Sequence, residues 1–195
     1  MDIERIKELH YVTPIATVPS IMEHGILSHR KAEQLPHIDI SMDEIQFRRS
    51  QKRVPGGKLL HEYANLYFDA HNPMLSKRRD TNSEICILRV NPDVLNLPNV
   101  VIADRNASSE YVRFYHFPFG LQFLDEEKIY AKYWTNNDQF EYMERKSKKC
   151  AEVLVPDKVN PEYIFAAYVY DKKSKEKLLN TGFAHQIDLK PDIFF

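Results

Sequence analysis

Apolar and polar positions along the chain mostly alternate or cluster in runs of five to eight residues, a period that predicts strands. Such runs occupy residues 10–15, 63–68, 84–90, 99–103, 153–156, 164–170 and 182–189. A helical pattern covers residues 125–133 and 137–148, and a shorter one lies around residues 42–49. The first strand leads into a short helix, with Thr17 as its cap, Pro19 in its first turn and Gly25 past its end. Asn91-Pro92-Asp93 and Asn160-Pro161-Glu162 each read as the start of a helical turn. From Ser28 to Lys58 the pattern loosens into a long excursion, ending in the turn Pro55-Gly56-Gly57, of the kind that serves as a lid. Strands interspersed with helices, without a regular β-α-β series, predict an α+β fold.

Composition narrows this picture. With 195 residues, 43% of them hydrophobic, the chain can bury a core as one domain spanning residues 1–195. It has no apolar stretch of about 18 residues, and Met1-Asp2-Ile3-Glu4-Arg5 is unlike a secretory leader, so a cytoplasmic protein without a membrane span is expected. Cys86 and Cys150 sit in apolar surroundings without CxxC spacing, so both are read as buried reduced thiols and no metal site is expected. Five glycines form no phosphate-binding loop of the P-loop or Rossmann kind.

The net charge of -1 argues against a histone-like nucleic-acid binder. The basic residues are nonetheless clustered, at Arg48 to Arg53, Lys77-Arg78-Arg79 and Arg145 to Lys149. These are either solvated faces or, if the fold brings them together, a track for a phosphate backbone.

Glu152 is the most informative single residue, a lone carboxylate in the strand-like run Cys150-Ala151-Glu152-Val153-Leu154-Val155. It is either the outward-facing polar position of an alternating strand or a working group in a cleft. The aromatic run from Tyr63 to Phe68, followed by Asp69 to Leu75, supplies rings for a core or a stacking face. His116, within Tyr115-His116-Phe117-Pro118-Phe119, is either a core histidine or a contact to nucleic acid or nicotinamide. Tyr133 and Trp134 read as core.

Several of these segments together resemble the DarT-like DNA ADP-ribosyltransferases. The resemblance rests on Tyr11-Val12-Thr13 with the segment from Val18 to Ser28, Ile45-Gln46-Phe47-Arg48-Arg49, Tyr67-Phe68 to Pro73-Met74-Leu75, and Ala151 to Val155, in that order. It implies an ADP-ribosyltransferase fold, two small, mostly antiparallel sheets forming an NAD cleft, with peripheral helices. It implies NAD as co-substrate, a base of single-stranded DNA as acceptor, commonly thymine and in one branch guanine, and a toxin countered by a DarG-like macrodomain antitoxin. By the same resemblance Glu152 falls on the catalytic glutamate, and Arg49 or Arg48 on an arginine needed for activity. Tyr11 or His10, Thr13, Tyr67 and Met74 fall on the NAD site. The family's opening His-x-Thr is here Tyr11-Val12-Thr13, with His10 one position early; a one-residue slip would turn every side chain to the other face, so Tyr11 is read as the replacement. Glu62-Tyr63-Ala64 and His71-Asn72 also depart from the family's pattern, the latter bearing on which base is chosen. His116, Lys146, Lys148 and Arg78 are the candidate nucleic-acid contacts.

Cleaving the nicotinamide-ribose bond passes through an oxocarbenium-like state, which a nearby carboxylate stabilises, and the same carboxylate can take the imide proton of thymine. A guanidinium suits a diphosphate or a DNA phosphate. The alternatives on the same fold are an RNA- or protein-directed transferase, or an inactive nucleic-acid-binding module.

Overall fold

A computed structural model describes residues 1–35 and 43–195 of the chain. Met42, the expected start of a helix, and the rest of residues 36–42 in the expected excursion lie outside the described residues.

In chain order the strands are β1 (Leu9–Pro14), β2 (Ile26–Leu27), β3 (Tyr63–Tyr67), β4 (Ile85–Val90), β5 (Val101–Ala103), β6 (Phe114–His116), β7 (Glu152–Pro156), β8 (Lys158–Val159), β9 (Ile164–Val169) and β10 (Gln186–Leu189). The helices are α1 (Val18–His24), α2 (His29–Ala32), α3 (Asp43–Gln51), α4 (Pro73–Ser76), α5 (Glu126–Tyr130), α6 (Gln139–Lys148) and α7 (Lys172–Asn180). Short 3-10 turns follow Asn91 and Asn160, as their Asn-Pro-acid motifs predict; Asn91 accepts from the Asp93 amide.

Eight strands run in the order β10-β9-β4-β1-β3-β7-β5-β6, all antiparallel except β9 with β10, while β2 and β8 form a separate ribbon. The sheet has a weak joint. β1 pairs with β4 over six residues, and β3 with β7 over five, but β1 meets β3 only at His10–Tyr67. Two four-stranded halves therefore splay from one residue pair, and a cleft opens in the fork. The expected pair of small sheets is thus one mostly antiparallel eight-stranded sheet whose two halves share a single-pair joint, with the β2–β8 ribbon as a second, small sheet.

Alternation places the side chains. Leu66, Val153 and Val155 enter the main core with Ala64 and Phe68, whereas Tyr63, Tyr67, Glu152 and Leu154 face the other way. Glu152 does occupy the non-core face of its strand. That face is not open to water, because α3 and the β5–β6 connection (residues 104–113) cover it, and Glu152 is 1% exposed.

Gly182, read as the start of a strand, has φ of +85° and follows α7; such a residue ends a helix, and the strand begins only at Gln186. Helix α7 was not expected, although Asp171 caps it by accepting from the Ser174 amide. Thr17 stands at the start of α1 without capping it; its hydroxyl donates to Pro14 O (2.8 Å). Gly25 ends α1 as expected: its φ is +92°, and a Cβ there would lie 2.3 Å from Val159 O. Tyr133 is exposed rather than core, and Trp134 is partly buried against Phe195.

Candidate active site

The fork of the two half-sheets holds a cavity of about 1480 Å³, with β1, β3, α3, α4, the 104–113 connection, α6 and the start of β7 all contributing to its wall. Three local arrangements furnish it. Helix α4 begins at Asn72, a fully buried cap that accepts from the Met74 and Leu75 amides and donates to Asp69 O, and this turns Met74 into the wall. Helix α6 is capped by Asp138, and its last turn carries Arg145, Lys146 and Lys148, cations that suit the negative end of a helix. It then runs almost directly into β7, with Cys150 N bonded to Ser147 O and Ala151 N to Lys148 O, so Glu152 emerges at the cavity floor. Helix α3 presents Arg49 from the opposite wall.

Both carboxylate oxygens of Glu152 are engaged. Oε2 accepts from Arg49 Nη1 at 3.0 Å, and Oε1 accepts from the Ala107 backbone amide at 2.9 Å. An ion pair with both members this buried fixes the carboxylate in position. Tyr67, the cross-strand partner of Glu152, lies beside it. Burial, and then the neighbouring Glu152 and Cys150, push the Tyr67 hydroxyl well above its usual range, so it stays protonated. The Cys150 thiol is pushed up to about 12 by burial and by Glu152. Lys52 donates to Ser109 O, and its ammonium is held below its usual range by burial.

The expected site residues divide clearly. Glu152, Arg49, Arg48, Tyr11, Thr13, Tyr67, Met74, Arg78, Lys146 and Lys148 all line the cavity. Only Arg49 of the two arginines reaches Glu152; Arg48 is exposed and pairs with Glu44 at 2.5 Å. Tyr11 faces the cavity, whereas His10 is buried behind it, bonded to Glu8 at 3.0 Å. His116 is neither core nor cavity wall: it is exposed at the outer end of β6, and its neighbour Tyr115 takes the cavity side. His71 and Asn72 also lie off the wall; His71 stacks on Phe195 (4.2 Å between centroids) and bonds Ile193 O.

The three basic runs do converge. Nine lysines and arginines line the cavity against four carboxylates, and the nine include members of every run. Their availability differs: Lys148 and Arg105 both pair with the buried Asp104, and Lys149 is fully buried between the Asp69 carboxylate and Ile129 O. Sequence reasoning missed Ala107, whose contribution is a backbone amide that no side-chain type advertises, and the connection that carries it. Among the described residues no group of three or more His, Cys, Asp or Glu is arranged to hold a metal, and no helix is long and apolar enough to cross a membrane.

Two half-sheets meeting at a single joint, with a buried glutamate at the fork, match what the resemblance implies, and the structural likeness to DarT makes this the ADP-ribosyltransferase fold. The family model described as "ssDNA thymidine ADP-ribosyltransferase, DarT" matches residues 10–195, and the chain belongs to the DarT family. A DNA ADP-ribosyl transferase–DNA ADP-ribosyl glycohydrolase fusion protein of Thermosipho africanus is 31% identical over 200 residues, covering 98% of this chain and 50% of the fusion, so the chain spans about half that relative's length. A DNA ADP-ribosyl transferase of Thermus aquaticus is 28% identical, over 84% of this chain and 75% of its own. The structure of Thermus sp. 2.9 DarT in complex with ADP-ribosylated ssDNA superposes with a TM-score of 0.85 at 25% identity, covering 97% of each chain.

Proposed function

We propose that residues 1–195 form a single transferase domain that moves ADP-ribose from NAD to a base of single-stranded DNA, thymine favoured. The observation that carries this is the carboxylate of Glu152, buried and held by Arg49 and the Ala107 amide at the floor of a basic cavity. The wall suits the dinucleotide: Tyr67 and Thr13 lie along it, Tyr11 stands on the same face of β1 as Thr13, and the guanidinium and ammonium groups on it suit a diphosphate. Bound NAD supplies the ADP-ribosyl group and a nicotinamide that leaves with the electrons of the broken C–N bond. Glu152, excluded from bulk water, stabilises positive charge developing at the ribose and accepts the proton that the target nitrogen loses on forming the new bond. Arg49, bonded to Oε2 at 3.0 Å, holds the Glu152 carboxylate oriented for both steps. Thr13 and Thr17 hydroxyls lie 2.7 Å apart, and since Thr17 donates to Pro14 O, Thr13 is the donor between them and offers its own lone pairs to the ligand.

A base-modifying activity of this kind suits the toxin of a toxin–antitoxin pair, acting in the cytoplasm and reversed by a DarG-like macrodomain partner. The relative in which a transferase is fused to a DNA ADP-ribosyl glycohydrolase supports that pairing. The test is incubation of the protein with labelled NAD and equal amounts of single-stranded DNA, RNA and protein. Label on single-stranded DNA is expected; label confined to protein or RNA would transfer the reading to another acceptor.

A further inference from the structure

Beside Glu152, two side chains carry hydrogen-bonding capacity that goes unused among the described residues. Asn106 lines the cavity and immediately precedes Ala107, the residue whose amide holds Glu152. Its Oδ1 accepts from the Ser108 amide at 2.9 Å and from the Ser108 hydroxyl at 2.7 Å. A backbone amide can only donate, so the atom it meets is the oxygen, and the Asn106 NH₂ points elsewhere. That NH₂ makes no hydrogen bond among the described residues. The Asn106 backbone amide donates to Ser147 O at 2.9 Å, tying the 104–113 connection to the last turn of α6. Ser147 also lines the cavity, and its hydroxyl is buried without a partner among the described residues. A buried, unpaired hydroxyl on a cavity wall is costly unless something else satisfies it.

We propose that Asn106 and Ser147 read the target base, donating to the two carbonyl oxygens that flank an imide N–H while Glu152 accepts that N–H. This rests on the transferase function proposed above and deepens it. Thymine and uracil present the order acceptor, donor, acceptor along this edge, matching donor, carboxylate, donor in the protein. Cytosine and adenine have no ring N–H at the corresponding nitrogen for Glu152 to accept. Guanine has one, but an amino donor replaces one of the carbonyls. In the reaction the imide nitrogen forms the bond to the ribose carbon as the nicotinamide bond breaks, and its proton passes to Glu152, so charge and atoms balance without a further reactant.

The test measures transfer from NAD to single-stranded oligonucleotides that each carry one thymidine, deoxyuridine, deoxyguanosine, deoxycytidine or deoxyadenosine. Wild type is expected to modify thymidine and deoxyuridine within about tenfold of each other and to favour both over the rest, because the contacted atoms are shared. Ser147→Ala removes a hydroxyl that bonds nothing among the described residues, so it should fold normally. It is expected to lower kcat/KM for the thymidine oligonucleotide by about tenfold with KM for NAD unchanged. Asn106→Ala should do the same, with an NAD-dependent rise in melting temperature reporting an intact cleft. A wild-type preference for deoxyguanosine, or Ser147→Ala and Asn106→Ala proteins with wild-type kcat/KM on thymidine, would overturn the assignment. A wild type that labels no DNA would instead remove the transferase reading on which it depends.

Discussion

Arg49 Nη1 and Glu152 Oε2 meet at 3.0 Å across 103 residues of sequence, joining the helix on one wall of the cleft to the strand at its floor. Breaking a buried pair on one side strands the remaining charge. Arg49→Ala is therefore expected to reduce transfer by about a hundredfold or more and to cost about 3 kcal/mol of stability. The Arg49→Ala, Glu152→Ala double variant should be destabilised by less than the sum of its parts, since neither charge is left alone. Denaturant unfolding of the four proteins measures this coupling. Additive effects would show that the pair does not hold the site together.

Arg48 provides the internal comparison. It is exposed, pairs with Glu44 on its own helix and does not contact Glu152. Arg48→Ala should change stability by less than about 0.5 kcal/mol and leave the maximal rate of transfer within a few-fold of wild type. A loss as large as that of Arg49→Ala would exchange the roles of the two arginines.

Salt should weaken binding of single-stranded DNA steeply, because nine cations line one cavity. The logarithm of the association constant is expected to fall linearly with the logarithm of salt concentration, and Lys146→Ala should reduce that slope by about 0.7, one phosphate contact. His116→Ala should leave slope and affinity unchanged, since His116 lies off the cavity wall. Fluorescence anisotropy over a salt series checks both, and a flat response would mean that the basic runs converge without serving a phosphate backbone.

Acid stability should depend on Glu8, on the far side of β1 from the cleft. Burial raises its pKa, but hydrogen bonds and charge from His10, with further hydrogen bonds from Arg89 and Tyr168, outweigh burial and hold the carboxyl at about 2, below the 4.5 of an unperturbed glutamate. A depressed carboxylate pKa contributes stability that is fully present above the unfolded value and is lost as pH falls toward the folded one. The loss should fall between about pH 4.5 and 2 and amount to about 1 to 2 kcal/mol, once the full shift is discounted for partial exposure. Glu8→Gln should be less stable near neutrality and show a flatter acid limb in melts from pH 6 to 3. An unchanged limb would locate the acid response elsewhere.

Both cysteines should be inert in the folded protein. Cys86 and Cys150 are buried, and burial raises each thiol to about 12, with Glu152 adding to the effect at Cys150. At pH 8 the thiolate fraction is on the order of 10⁻⁴, so alkylation should require unfolding. Rapid labelling of Cys150 in native protein would indicate an open cleft floor.

Much of the fold was legible in alternation alone, because the central strands bury one face and expose their period directly. The short edge strand β6 has only three residues, too few for a period, and was missed. Helix α7 was hidden by its polarity: Lys172, Lys173, Lys175, Glu176 and Lys177 crowd its surface, and the cap at Asp171 was its clearest sign. At the site, Glu152 stood out because a carboxylate is costly in an apolar strand, and Arg49 followed from the resemblance. Alternation suggested a solvent face for Glu152, but it describes a strand without its neighbours, and the 104–113 connection and α3 arrive from distant sequence to cover it. The basic runs looked uniform in sequence; folding spends Lys149 on Asp69 and Lys148 on Asp104, both from the run Arg145 to Lys149.

The proposed transfer turns on the buried carboxylate of Glu152. Glu152→Gln preserves the shape of the side chain while removing its charge, so single-stranded DNA should still bind with close to wild-type affinity. The direct measurement is incorporation of labelled ADP-ribose from NAD into single-stranded DNA by wild type and Glu152→Gln, at enzyme concentrations where both bind the strand fully. Label with wild type and none above background with Glu152→Gln is expected; comparable label from both would exclude Glu152 as the group that carries out the transfer.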